Sequence, residues 1–93
     1  MKLATGAQIA GAREYLRMTQ GQLAELADVS RPTLLAFENG DREPYESTKR
    51  KLQQVLEARG IVFTNGDRPG FYFDKDKVSV AGTAGDSSPR PPR

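Results

Sequence analysis

The chain has 93 residues, with 14 Lys+Arg against 12 Asp+Glu for a net charge of +2, and it contains no cysteine, histidine or tryptophan. That length holds one compact domain and a tail, with a thin core, because such a chain buries only roughly 60–65% of the surface it exposes unfolded. Without Cys or His there is no disulfide, thiolate zinc site or cysteine nucleophile, and the commonest metal ligand and acid–base group are missing, so neither an enzyme nor a cofactor or metal is expected.

The first helix is signalled by Thr5 and Gln8, which have capping-box spacing, and by Ile9, Ala12 and Leu16 at helical intervals. Thr19 and Gln22 repeat the box for a second, short helix, with Met18 and Leu23 as its hydrophobic staple and Leu23, Ala24 and Ala27 as its apolar stripe. Asp28-Val29-Ser30 interrupts it. Ser30 caps a third helix, with Pro32 in the first turn, Leu34 and Phe37 facing inward, and Asn39-Gly40 as the stop. After a polar loop through Pro44, Ser47 is the expected cap of a fourth helix. Leu52, Val55 and Leu56 are its buried stripe, and Gly60 closes it.

Ile61-Val62-Phe63-Thr64 and Phe71-Tyr72-Phe73 read as two strands around the turn chemistry of residues 65–70. They pair either as a hairpin or with a second subunit, and Val78-Ser79-Val80 is a candidate third strand. Residues 81–93, AGTAGDSSPRPPR, have no apolar cluster to offset their ordering entropy and are expected to be disordered. No run of about 18 apolar residues is present to span a membrane, and residues 1–6 lack the apolar stretch of a signal peptide. A cytoplasmic protein is therefore expected.

Two short capped helices joined by a tight turn form the layout in which the second helix enters the DNA major groove, although any small bundle can place two helices in series. The residues go further. MTQGQLAELADVSRPTLLAFENG resembles the helix-turn-helix of the XRE family of phage-repressor-like (Cro-type) transcriptional regulators. The likeness rests on Thr19-Gln20, Leu23-Ala24, Val29-Ser30, Thr33-Leu34, Phe37 and Glu38-Asn39-Gly40. GIVFTNGDRPGFYF is similar to a β extension that some small bacterial members carry. The resemblance implies a mainly α, lambda-repressor-like helix-turn-helix bundle with a C-terminal β-strand or β-hairpin extension. DNA binding would lie in residues 1–60 and dimerisation in 61–80, with 81–93 as a tail.

Position by position, it implies that Gln20 binds a DNA phosphate, that Asn39 meets the phosphate after the recognition helix, and that Arg13 and Glu38 form a buried ion pair. Residues 30–39 are then the recognition helix, in which Ser30, Arg31, Pro32, Thr33, Leu35 and Ala36 face DNA. Arg31 suits guanine O6 and N7 or a phosphate, and Thr33 and Ala36 suit a thymine methyl. Pro32 and Leu35 offer few hydrogen-bonding groups, which shifts specificity toward methyl contacts and DNA shape. Asp28 replaces the family's usual turn glycine. Asp41 and Glu43 put negative charge near the phosphate path unless they turn away, and Arg42 between them is the better phosphate contact. Lys49-Arg50-Lys51 opposes the helix dipole, and reads as a solvated face or as a contact for an external anion.

One recognition helix reads only a few base pairs, so two half-sites are expected. Ile61, Val62, Phe63, Phe71, Tyr72 and Phe73 are the expected dimerisation residues. The expected partners are double-stranded DNA carrying a palindromic operator, a second copy of the chain, and no membrane. The expected function is a dimeric repressor or autoregulator. The rival on the same fold is an antitoxin or antiactivator whose main partner is a protein.

Overall fold

The computed structural model describes residues 3–79, as four helices followed by two strands. The helices are α1 (Gly6–Tyr15), α2 (Gln20–Ala27), α3 (Arg31–Glu38) and α4 (Glu46–Ala58), and the strands are β1 (Arg59–Thr64) and β2 (Gly70–Val78). This is the lambda-repressor-like helical fold with a β-hairpin at its end. The expected tail, residues 81–93, and Val80 lie outside the described residues.

Both capping boxes form. Gln8 N donates to Thr5 Oγ1 at 3.2 Å while Thr5 N donates to Gln8 Oε1 at 2.8 Å. The Thr19–Gln22 pair repeats this at 3.0 and 2.8 Å. Each box satisfies two helix-end donors that would otherwise lack partners. Ser30 caps α3 by accepting from Thr33 N at 3.3 Å, with Pro32 in the first turn where a missing N–H costs nothing.

The fourth helix departs from expectation at its start. It begins at Glu46 and not after Ser47. Tyr45 is the cap residue, and its carbonyl takes the first helical bonds, from Thr48 N at 3.0 Å and Lys49 N at 3.1 Å. No side chain caps this end, but Glu46 places an acid in the first turn, where the helix dipole favours it. At the other end α4 stops at Ala58, and Gly60 already belongs to β1. Gly60 has φ +98°, and a Cβ there would fall 2.6 Å from the Phe73 ring and 2.9 Å from the Asp74 carbonyl oxygen. Gly60 follows the C-cap Arg59 with positive φ, so it closes α4 as expected, and it also makes room for the irregular strand crossing.

The strands pair with each other within the chain, antiparallel, with Ile61 opposite Phe73, Val62 opposite Tyr72 and Phe63 opposite Phe71. Register shifts between Arg59 and Ile61, so the Arg59–Val78 pair lies across a bulge. Val78 is thus the end of β2 and not the start of a third strand among the described residues; Ser79 N donates to Ala58 O at 2.7 Å. A lone hairpin is marginal in water. This one is held because Ile61 sits fully inside the helical core and Phe63 and Phe71 pack against it.

A single side chain fastens the hairpin to α1. Gln8 is buried, and its Nε2 donates to Thr64 O and Gly70 O, both at 2.8 Å. Its remaining oxygen is the capping arm, so the amide is saturated. Gln53 plays a similar part below it, accepting from Ala4 N at 2.8 Å and donating to Glu57 Oε2 at 3.0 Å. The apolar core joins the helices through Ile9, Ala12, Leu23, Leu34, Leu52 and Leu56.

Candidate nucleic-acid interface

The turn between α2 and α3 is made by Asp28, which adopts the left-handed conformation at φ 58°, ψ 48°. Val29 N then reaches back to Ala24 O at 2.9 Å and closes the helix end. An L side chain is disfavoured there, and Asp is among the few residues that tolerate it. Leu34 and Phe37 of α3 are buried one helical turn apart and fix its inward face. Gly6 at the start of α1 lies against the carbonyl of Phe37, where a Cβ would fall 1.9 Å from that oxygen. The position of α3 therefore depends on a glycine that no local pattern marks.

Arg13 and Glu38 meet across α1 and α3. Arg13 Nε lies 2.8 Å and Nη2 3.1 Å from the two Glu38 oxygens, a bidentate pair with side chains 10% and 4% exposed. Arg13 Nη1 also donates to Met18 O at 2.8 Å. Gln20 joins the pair, its Nε2 donating to Glu38 Oε1 at 3.0 Å. A carboxamide has two N–H donors, so one is used in orienting the side chain and the other has no protein partner among the described residues. The sequence placed Arg13 opposite Glu38 but did not reveal the link from Glu38 to Gln20.

The outward face of α3 carries Arg31, Pro32 and Leu35 exposed, with Thr33 and Ala36 half-buried. Leu35 is 43% exposed and so lies off the core. The Ser30 hydroxyl donates to Thr33 Oγ1 at 2.7 Å, which ties Ser30 to the helix start and leaves the Thr33 O–H directed by its own rotation. Asn39 is the C-cap in right-handed geometry, and Gly40 takes the left-handed position at φ 81°. Asp41 N and Gly40 N bond back to Ala36 O and Phe37 O at 2.8 and 3.1 Å, so the α3 carbonyls are satisfied and the Asn39 side chain is free of capping work.

The charges around this face sort themselves. Glu43 pairs with Lys49, and Glu46 with Arg50 at 3.7 Å, so two members of the basic run have acidic partners from their own chain. Glu43 is thereby drawn toward α4, while Asp41 stays exposed. Arg31 and Arg42 are exposed and form no ion pair among the described residues. Of the strand residues expected to hold two subunits together, Ile61 is consumed by the chain's own core, Phe63 and Phe71 pack on it, and Val62 is half-buried. Tyr72 and Phe73 remain open at 53% and 39% exposure.

No helix among the described residues is long and apolar enough to cross a membrane. The family model described as Helix-turn-helix matches residues 9–59, from within α1 to the first residue of β1. No curated protein matches the chain. The matched stretch holds both capped helices, the left-handed turn and the Arg13–Glu38 pair, and it covers more than half of the sequence. The chain belongs to the Cro-type helix-turn-helix family characteristic of XRE regulators, and it is a DNA-binding regulator.

Proposed function

We propose that this chain is a homodimeric repressor or autoregulator that reads a palindromic operator, with α3 in the major groove. The observation that carries the reading is the pairing of a fixed helix with an open face. Arg13, Glu38 and Gln20 lock α1, α2 and α3 together, while Arg31, Pro32, Leu35 and Asn39 point to solvent. Gln20 and Asn39 bind phosphates on either side of the groove, joined by Arg42, and Arg31 with Thr33 and Ala36 reads base edges. The face is poor in hydrogen-bonding groups, so thymine methyls and DNA shape carry much of the discrimination. Two copies are needed because one such helix covers a single half-site.

Footprinting on the chain's own upstream region tests this. The expected result is protection of two half-sites about ten base pairs apart, weakening steeply with salt. Absence of protection at moderate salt overturns the DNA reading and favours a protein partner.

A further inference from the structure

The cap of α3 joins two hydroxyls as well as a backbone group. Ser30 Oγ accepts from Thr33 N at 3.3 Å, and its own proton goes to Thr33 Oγ1 at 2.7 Å. A hydroxyl has a single proton to give, so Ser30 spends its donor inside the helix start. Thr33 Oγ1 receives that proton, and its own O–H donates to no protein group among the described residues. The free proton of the pair is therefore the one on Thr33. A hydroxyl that accepts a bond also donates more strongly, because the chain of bonds is polarised. Thr33 is half-buried in the first turn of α3, beside exposed Arg31 and Pro32. Side chains of that turn meet base edges when such a helix enters the major groove. Pro32, Leu35 and Ala36 carry no polar side-chain atom, so the hydroxyl is one of few groups there with a direction to its chemistry.

We infer that Thr33 reads DNA as a hydrogen-bond donor, and that Ser30 is the positioning residue that sets this polarity and not itself a DNA contact. In the major groove guanine presents the acceptors N7 and O6, and thymine presents O4. Cytosine presents only an amino donor, and adenine presents one group of each kind. Thr33 thus selects guanine or thymine at the position it faces and disfavours cytosine. The inference rests on the placement of α3 in the major groove proposed above, and it holds whatever the number of copies bound. It gives the Ser30–Thr33 pair a second use beyond capping: the side chain that starts the helix also decides which base edge the next turn can accept.

Selection by the full chain from a pool of random-sequence duplexes tests this, followed by fluorescence anisotropy on the selected duplex and its single-base-pair variants. At one base pair of the half-site the wild type is expected to favour guanine or thymine over cytosine by roughly three- to tenfold, the worth of one hydrogen bond. Thr33→Val keeps the shape, loses the hydroxyl and should lose that preference; Thr33→Ser should retain it. Ser30→Asp carries the test to the positioning residue. Its carboxylate still caps Thr33 N but has no proton to give, so it takes the Thr33 proton and leaves oxygen lone pairs facing outward. The added charge weakens all sequences alike, while preference at that base pair is expected to turn toward cytosine or adenine, whose amino groups donate. A serine that served only as a cap would leave the preference where it was. Wild-type preference for cytosine at that position, an equal loss on all sequences in Thr33→Val, or an unshifted preference in Ser30→Asp overturns the inference and leaves the operator reading standing. A chain that selects no sequence overturns the operator reading, and base reading by Thr33 falls with it. The polarity is also read without DNA, by NMR of the free chain: the Ser30 hydroxyl proton should exchange with water more slowly than that of Thr33, and the reverse order overturns the inference.

Discussion

At the seam between α1 and the hairpin, the amide of Gln8 is buried and fully used, with both donors on strand carbonyls and its oxygen on the Thr5 N–H. At the helix-turn-helix face, the amide of Gln20 is half-buried and partly used, with one donor on Glu38. The same side chain thus serves two ends. A saturated amide in low-dielectric surroundings fixes architecture, because a buried group left unpaired is costly. An amide held by one bond, with the rest facing water, is oriented in advance for a ligand. The contrast extends to each region: the seam satisfies its polar groups internally, whereas the outward face of α3 and the loop after it leave Arg31, Asn39 and Arg42 to solvent.

The sharpest way to break the comparison is at Glu38, which supports the open face from within. Glu38→Ala takes the bidentate carboxylate from the buried Arg13 guanidinium and leaves it only the exposed Glu14 at 3.5 Å; loss of a buried partner costs up to about 3–5 kcal/mol, and Glu14 should offset part of it. Urea unfolding of the variant should show it, and Gln20 should lose its orientation together with the fold. A variant within about 1 kcal/mol of wild type would mean that Glu14, Met18 O and water suffice for Arg13. Next in size is Gly6→Ala. With a Cβ only 1.9 Å from the Phe37 carbonyl oxygen, α1 and α3 must separate. The expected loss is about 1–3 kcal/mol, with weaker operator binding in proportion to the displacement of α3.

Gln8 is the test of the seam. Gln8→Leu keeps the volume but leaves Thr64 O and Gly70 O without their donor, at a cost of about 1–3 kcal/mol. Gln8→Glu keeps the capping oxygen but sets a buried carboxylate oxygen against the Thr64 and Gly70 carbonyls, so it should open the latch more than Gln8→Leu while the cap survives. In both, amide hydrogen exchange should rise across residues 61–73 before it rises in α2 and α3. Equal acceleration everywhere would show that the hairpin is not a separately opening unit.

These sites also mark how far the sequence could be read. Thr5, Thr19 and Ser30 announce helix starts because capping is local, spanning three residues. The turn at Asp28 and the Arg13–Glu38 pairing were legible because the motif resembles a known pattern. Gln8 was legible as a capping residue, but its bonds to Thr64 and Gly70 join parts of the chain 56 and 62 residues apart. Gly6 was opaque for the same reason, as was the close approach of Gly60 to β2, since each depends on a neighbour that only the folded chain brings close. The start of α4 was misplaced because Ser47 is a better cap by composition than Tyr45, yet the backbone turns helical directly after Pro44-Tyr45.

At the open face, the predictions concern binding and not stability. Gln20→Ala should weaken all DNA sequences alike, by about tenfold for the loss of one well-placed hydrogen bond, with the salt slope unchanged because no charge is removed. Arg31→Ala should alter sequence preference if its contact is to guanine, or lower the salt slope by about one if it is to phosphate. Fluorescence anisotropy on an operator and a scrambled duplex distinguishes these outcomes. Unchanged operator affinity in both variants would remove these two residues from the interface.

The smallest effect concerns three helix ends that are built alike. After α1, α2 and α3, a single left-handed residue is followed by a backbone bond reaching back into the last turn, at Arg17 (φ 60°), Asp28 (φ 58°) and Gly40 (φ 81°). Only the third uses glycine, so the first two hold a side chain in a region that costs an L residue about 1–2 kcal/mol, less for Asp. Replacing Arg17 with Gly removes that strain but adds the chain entropy of glycine, about 0.5–1 kcal/mol. The net gain should be a fraction of a kcal/mol at Arg17, seen as a rise of a few degrees in Tm, and close to zero for Asp28→Gly. The ordering of the two is the informative result. If Asp28→Gly gains more than Arg17→Gly, the turn before α3 stores strain, and the open face is held in its geometry against the local preference of its own backbone.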